Sequence, residues 1–259
     1  MNKKDLIILI PMYRLPFDAD EQKSLNRTYS YLADYPMAFV KPQSLDVSDI
    51  LKVYPKMQTE SFPDHYFVNI SGYNKLMLSE EFYERFLNYK YMLICQLDAY
   101  IFRKDINIWL QKGYDYIGAP WIVKPKYRRL YYRIFLKIKS IFYYLITKKP
   151  FLLTLLADKV GNGGLSLRKV QSFYQTIIDK KLIINEFIEK SKTNSGYNED
   201  VFWASQQVKF RYPTAKEALR FAIEQYPEMC FELNNYELPF GCHAWNKEKY
   251  KKFWENKIN

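Results

Sequence analysis

The chain has 259 residues, 48% of them hydrophobic and 26% charged, which is enough for a substantial core and too apolar for a disordered segment. A net charge of +11 and a pI near 9.3 favour polyanionic partners: nucleic acid, an anionic membrane surface or phosphorylated small molecules. Three cysteines, Cys95, Cys230 and Cys242, make neither a CxxC pair nor a disulfide framework, which points to a reducing compartment.

The opening MNKKDLIILIPMYR holds an apolar run too short for a signal peptide, stopped by Pro11 and lacking a small-residue cleavage site. Leu6 to Ile10 is therefore read as a first strand covered on both faces. Pro11 to Arg14 follows as a loop, residues 21–33 as a helix and Met37 to Val40 as a short strand. Residues 44–70 are mixed. Ser79 caps a helix whose first turn carries Glu80 and Glu81. Tyr91 to Cys95 is a buried strand, 105–112 a helix, and Tyr114 to Ile117 a strand closed by Gly118-Ala119-Pro120-Trp121. Gly161 to Leu167 returns to strand. Val170, Phe173, Tyr174, Ile177 and Ile178 then repeat at helical spacing. Glu199 to Gln207 forms a further helix, and the tail from Pro239 is turn-rich before a lysine-rich helix.

Strands alternating with helices predict an α/β sheet, parallel in its N-terminal half. No internal repeat or low-complexity linker divides the chain, so a single domain over residues 1–259 is expected. Residues 124–157 stand apart: they contain no acid and nine Lys/Arg, among them Arg128, Arg129, Arg133 and Lys137. As a helix, this insertion lines Leu130, Ile134, Ile138, Ile141 and Leu145 along one stripe and Arg129, Arg133 and Lys137 along another, as in a helix lying in a membrane interface. The other arrangement packs the apolar stripe on the domain and leaves the lysines in water. No stretch reaches the roughly 20 apolar residues of a membrane span. The expected location is the cytoplasm, peripheral at the inner face of the cell membrane. No helix-turn-helix, zinc finger or RNP pattern appears, so no nucleic-acid partner is expected.

In an open α/β sheet, ligands bind beyond the carboxyl ends of the strands. The loop with Tyr13 and Arg14, Asp98 after the 91–95 strand, the 118–121 loop and the glycines of GNGGLSLR (161–168) would all sit there. Read singly, each has an ordinary structural role. Asp98 caps a turn, the glycines make a tight turn, and Glu199 and Asp200 in GYNEDVFWA favour a helix dipole. His243, one of two histidines, lies in PFGCHAW near a glycine turn.

As a set, the pieces YNKLMLSEEFYERF, YMLICQLDAYIF, YDYIGAPW, GNGGLSLR, EDVFWA and PFGCHAW resemble, in order, a bacterial family of uncharacterised glycosyltransferase-like proteins of the DUF5672 type, a branch of the GT-A nucleotide-sugar transferases. The resemblance implies a GT-A-like, Rossmann-related α/β fold with a mixed, mostly parallel central sheet flanked by helices. It also implies transfer of a sugar from a nucleotide-sugar donor to a hydroxyl of a glycan or lipid-linked glycan, in surface polysaccharide or capsule assembly. Carried over by position, Asp98 is the first acid of a DxD motif that holds Mn²⁺ or Mg²⁺ against the donor diphosphate, with His243 completing the metal site. Tyr100 stands where the second acid of that motif belongs. The donor site would draw on Tyr13, Arg14, Lys75, Asp98, Asn162, Gly163 and Gly164. Asp200 would be the base of an inverting reaction, with Glu199 beside it binding hydroxyls. Trp121 and Trp245 would stack on the acceptor. Two other classes fit parts of the pattern: a sugar nucleotidyltransferase, for which Pro11 to Arg14 is a poor match to the expected glycine-rich basic loop, and a non-catalytic membrane or nucleic-acid adaptor needing only the basic helix.

Overall fold

The computed structural model describes residues 5–148, 151–205 and 208–258. Strand β1 (Leu6–Pro11) is followed by β2 (Met37–Pro42), β3 (Met57–Phe62), β4 (Tyr91–Cys95), β5 (Tyr100–Ile101), β6 (Tyr116–Pro120), β7 (Val160–Lys169), β8 (Ala222–Ile223) and β9 (Gly241–Cys242). Six of them form one sheet in the order β3-β2-β1-β4-β7-β6. Strands β1 to β4 pair in parallel, whereas β7 runs antiparallel to both β4 and β6. The sheet is thus mixed and mostly parallel, with helices against it.

Both faces of this sheet are buried. Leu6, Ile8, Ile10 and Leu93 enter one apolar core, while their alternating neighbours Ile7, Leu9, Met92 and Ile94 enter the other. This is why β1 and β4 read as unbroken apolar runs rather than as alternating strands. Each such side chain contributes about 1.5–3 kcal/mol when fully buried. The helix Ala19–Leu32 starts at a capping box: Asp18 accepts from the Glu21 amide, and Glu21 accepts from the Asp18 amide. Ser79 caps Glu80–Glu84 by accepting from the Phe82 amide.

Some boundaries move. The sheet carries β1 on to Pro11 and β6 through Gly118 to Pro120, residues expected to be loop. The mixed stretch 44–70 holds the edge strand β3. Helices at Lys181–Ser191, Ala215–Phe221 and Pro227–Leu233 fill segments without a sequence assignment. The helix expected at 199–207 covers Glu199–Ser205, and Gln206 and Gln207 lie outside the described residues. So do Lys149 and the side chain of Arg128 in the basic segment.

The second sheet is small and has the order β5-β9-β8. It packs with the C-terminal helix Glu248–Glu255 in a third core around Tyr100, Trp245 and Trp254. Its strands are two residues each, yet it determines what meets at the end of β4. Asp98 lies just before β5, His243 just after β9, and Glu224 just after β8.

Candidate functional site

Strand β1 leads leftward to β2, and β4 lies on its other side, so the order of the sheet reverses between β1 and β4. Clefts open at the carboxyl ends of strands flanking such a reversal. A cleft of about 600 Å³ lies there, walled by Pro11, Met12 and Tyr13 from the end of β1, by Gln96, Leu97 and Asp98 from the end of β4, and by Val68 to Ile70 and Tyr73 opposite. Tyr13, Val68 and Ile70 are exposed at its rim.

The deep end of the cleft is polar. Asp98 Oδ1 lies 3.1 Å from His243 Nε2, and Gln96 Oε1 lies 3.2 Å from the same nitrogen. On the ring's other side, Nδ1 is buried, lacks a hydrogen-bond partner and faces Glu224 at 3.7 Å. Backbone bonds fix this group: the His243 amide donates to Ile223 O, and the Trp245 amide donates to Asp98 O. Burial works to raise the Asp98 carboxyl, but His243 beside it, with Lys247, holds it below its ordinary value. Burial likewise works to lower His243, and Asp98 and Glu224 lift it above its usual range.

Tyr100 is not part of this group. The chain turns at Gln96 to Ala99, where the Ala99 amide bonds back to Gln96 O. Tyr100 is thereby sent into the third core, and its hydroxyl accepts from Arg27 Nε at 2.6 Å. Gln96 and Asp98, rather than Asp98 and Tyr100, are the alternate pair that reaches His243.

Two oxygens each about 3 Å from one imidazole nitrogen match the spacing of neighbouring ligands on one small divalent cation, whose bonds are roughly 2.1 Å long. Glu224 at Nδ1 would orient the ring with Nε2 free to coordinate. The residues present therefore fit Mn²⁺ or Mg²⁺ held by Asp98, His243 and Gln96. Among the described residues there is no group of three His, Cys, Asp or Glu side chains able to hold a metal.

The glycines of β7 seat this machinery. A Cβ on Gly164 would stand 2.0 Å from His243 Nε2, and one on Gly163 would stand 3.0 Å from Glu199 Oε2 and 3.7 Å from Asp200 Cβ. The histidine and the acidic pair therefore approach β7 at adjacent residues, and at Gly164 a side chain of any size would collide with the imidazole. The side-chain space of both glycines is filled by the protein's own groups, so any donor contact there is through backbone. Asn162 is buried, and its Oδ1 accepts from the Gly164 amide at 3.2 Å, which shapes the strand.

Glu199 and Asp200 open a helix whose first amide is satisfied from outside. Glu199 N donates to Asn74 Oδ1 at 3.1 Å, and Asn74 Nδ2 donates to Asn198 Oδ1. Glu199 is buried and accepts from Arg168 Nη1 at 2.6 Å. Arg168, 1% exposed, also donates to Ser166 Oγ and Tyr83 Oη. Glu199 is thus an internal ion-pair partner and is not free to bind sugar hydroxyls as expected. Asp200 is only partly covered and accepts from the Val201 amide at 2.8 Å. Burial, then the charges of Glu199 and Glu224, push its carboxyl up to about 7.

Other expected positions are dispersed. Arg14 is paired, bonding Pro16 O at 2.7 Å and Glu21 Oε1 at 2.9 Å. Lys75 is exposed outside the cleft lining, with its ammonium 6.0 Å from the Tyr66 ring. Trp121 is half-buried against the second core. Trp245 is 2% exposed and its indole donates to Ser24 Oγ at 2.8 Å, so its ring faces are not available to an acceptor. Gln96, Tyr73, Asn74, Arg168 and Glu224 are added by the structure. Of these, Arg168 had a signal: an arginine following Leu-Ser-Leu in a central strand must be buried and needs a counter-charge.

The family profile described as "Protein of unknown function (DUF5672)" matches residues 56–243. No curated protein matches the chain by sequence. Among solved structures, the galactosyltransferase LgtC, in complex with donor and acceptor sugar analogs, is similar at TM-score 0.54 and 10% identity over 97% of this chain and 100% of that one. Mouse xyloside xylosyltransferase 1, in its apo form, is similar at TM-score 0.50 and 10% identity over 91% of this chain and 96% of that one. The shared architecture is the GT-A fold.

Proposed function

The chain belongs to the DUF5672 family, and we propose that it is a nucleotide-sugar-dependent glycosyltransferase acting on a hydroxyl of a glycan or lipid-linked glycan. We take it as one GT-A-like domain carrying the helical insertion at about 124–157. The observation that carries the activity is the meeting, on two adjacent glycines of β7, of a metal-ready set (Gln96, Asp98, His243) and a carboxylate raised to about 7 (Asp200), with Gln96 and Asp98 lining the switch-point cleft.

In this reading the donor lies in the 600 Å³ cleft, with Tyr13 at its rim and the diphosphate toward Asp98. A bound Mn²⁺ or Mg²⁺ would supply charge stabilisation for the departing diphosphate. The acceptor oxygen attacks the anomeric carbon and a new C–O bond forms. The bond to the diphosphate breaks, and its electron pair leaves with the nucleoside diphosphate. The hydroxyl proton passes to Asp200. A base with a pKa near the working pH is effective for such a step, contributing roughly 10²–10⁴-fold. Burial raises the Glu199 carboxyl and Arg168 works against that rise, while Glu199 adds to the proton affinity of Asp200. The departing diphosphate needs no proton from the protein, unlike a sugar leaving group in glycoside hydrolysis.

The test is a thermal-shift screen of UDP-, GDP-, CMP- and dTDP-sugars, each with Mn²⁺ and with chelator, followed by turnover with the nucleotide class that binds. A metal-dependent rise for one class is expected. Asp98→Asn should lose that rise, and Asp200→Asn should keep donor binding while losing transfer. Silence with every donor, metal present, would overturn the reading.

A further inference from the structure

An amphipathic helix normally turns its apolar stripe inward. The helix Leu130–Thr147 does the reverse. Of its 18 residues only Leu136 is buried. At about 100° per residue, Leu130, Ile134, Ile138, Ile141 and Leu145 fall within an arc of about 80°, and Leu136 lies about 160° round from its centre. The stripe therefore faces away from the protein, with exposures of 72% at Leu130, 53% at Ile134, 50% at Ile138, 54% at Ile141 and 57% at Leu145. Phe135 and Phe142 widen it at 56% and 61%.

The borders of the stripe are cationic. Arg133 and Lys137 run along one edge and Lys139 along the other, its ammonium 5.5 Å from the Phe151 ring. Among the described residues no carboxylate makes a salt bridge to any of the three. The sequence from 124 to 157 contains no Asp or Glu at all. Such a face would bring like charges together if it met a second copy of itself. A nucleic acid offers nothing in which to bury the stripe. An anionic bilayer satisfies both features, with hydrocarbon for the apolar arc and lipid phosphates for cations whose stems lie along its edge. No helix among the described residues is long and apolar enough to cross a membrane. The helix, about 27 Å long, would instead lie in the plane of the interface.

We infer that the helix Leu130–Thr147 is a docking element that inserts its outward stripe into the surface of an anionic phospholipid bilayer. This does not depend on the transfer reaction proposed above.

The experiment is co-flotation of the full chain with vesicles of phosphatidylcholine alone and of phosphatidylcholine with phosphatidylglycerol. Binding to the anionic vesicles, weakened by added salt, is expected. Ile134→Glu/Ile138→Glu/Leu145→Glu should lower it at least about tenfold, since charge is costly at the depth of the stripe. Arg133→Ala/Lys137→Ala should lower it on the order of twentyfold, at about fivefold per cation. Sugar-nucleotide turnover without vesicles should be unchanged in both variants, so that failure of docking and failure of the transferase reading are told apart. Absent or equal flotation with the two vesicle types overturns the inference. So does binding that survives both variants, or a dimer in solution that the triple variant dissociates.

Discussion

The surroundings of β7 and the inserted helix place their side chains in opposite ways. Around β7 the charges are inside: Arg168 and Glu199 are almost inaccessible, and His243 is buried against Asp98 and Gln96. On Leu130–Thr147 the apolar groups are outside, and the one buried residue is Leu136. A buried charge is tolerated only with a partner, and here Arg168 has Glu199 and His243 has Asp98. An exposed apolar stripe is tolerated only when something covers it in use, and among the described residues the short helix Leu152–Leu155 borders this one at Ile141 and Leu145 and leaves both more than half exposed. The first region finds counter-charges for Arg168 and His243 within the protein. The second is complete only against an external surface.

The sharpest way to break this contrast is to unpair Arg168 and Glu199. Arg168→Met leaves Glu199 without its counter-charge and Tyr83 without a donor, and should cost about 3–5 kcal/mol of stability. Adding Glu199→Leu should recover much of that loss, because two apolar residues then replace an ion pair. Denaturant titration of the two single variants and the double variant measures it. A single Arg168→Met protein as stable as the parent would show that the charges are not truly excluded from water.

Next in size is the difference between neighbouring glycines. Gly164→Ala drives a methyl into the imidazole of His243, with all three nearest ring atoms within 2.4 Å. The ring must move, and a displacement near 1 Å at a reacting centre costs about 100-fold in rate. Gly163→Ala meets the ends of Glu199 and Arg168 at 3.0 and 3.2 Å, and side-chain tips can yield. Its loss of turnover should be smaller by at least about tenfold. Equal losses would mean that the two glycines serve one backbone conformation rather than two separate contacts.

Asp200 gives a prediction in pH. Its carboxyl is raised from 3.8 to about 7 in the folded chain. An acid raised in this way holds its proton more tightly when folded. Its favourable contribution to stability is present below the unfolded value and is lost as the pH climbs through about 7. Asp200→Asn should therefore raise stability at pH 8 by on the order of 2 kcal/mol after screening, read as a higher melting temperature, and change it little near pH 4. Activity has the opposite slope, since a base works when deprotonated. Turnover should rise through about pH 7 and then level off, and the variant should lack that limb. A flat parental profile between pH 5 and 9 would remove Asp200 from the role of base.

The legibility of these features follows from how local each is. Strands β1, β4 and β7 announced themselves as continuous apolar or glycine-marked runs, because burial on both faces leaves no polar alternation. Strand β3, Met-Gln-Thr-Glu-Ser-Phe, lies at the sheet's edge with four of its side chains not buried, so it carried no such mark. The two-residue strands β5, β8 and β9 are too short for any period, yet they bring Asp98, His243 and Glu224 together. Gln96 has no mark of its own in the sequence, and only the turn at Gln96 to Ala99 brings it beside Asp98 at His243. Trp245 looked like a stacking platform by type alone, and its burial is a consequence of the third core. On the inserted helix the stripe was readable, but its direction was not. Period says which residues share a face and never which way that face points.

The smallest expected effect concerns that direction. If the stripe of Leu130–Thr147 faces outward, replacing one of its members by a polar residue removes no packing. Ile138→Ser, at a side chain 50% exposed, should change stability by no more than about 0.5 kcal/mol in the absence of lipid. Leu136→Ser, two residues away, empties the one buried contact of the helix and should cost several times as much. Thermal melts of the pair therefore read the orientation without any membrane present. Equal costs, or a larger cost at Ile138, would mean that the apolar stripe packs on the protein in solution, and the contrast between the two regions would disappear. The expected inequality would show that the stripe does nothing for the fold, and it would leave the covering of that face to an external surface.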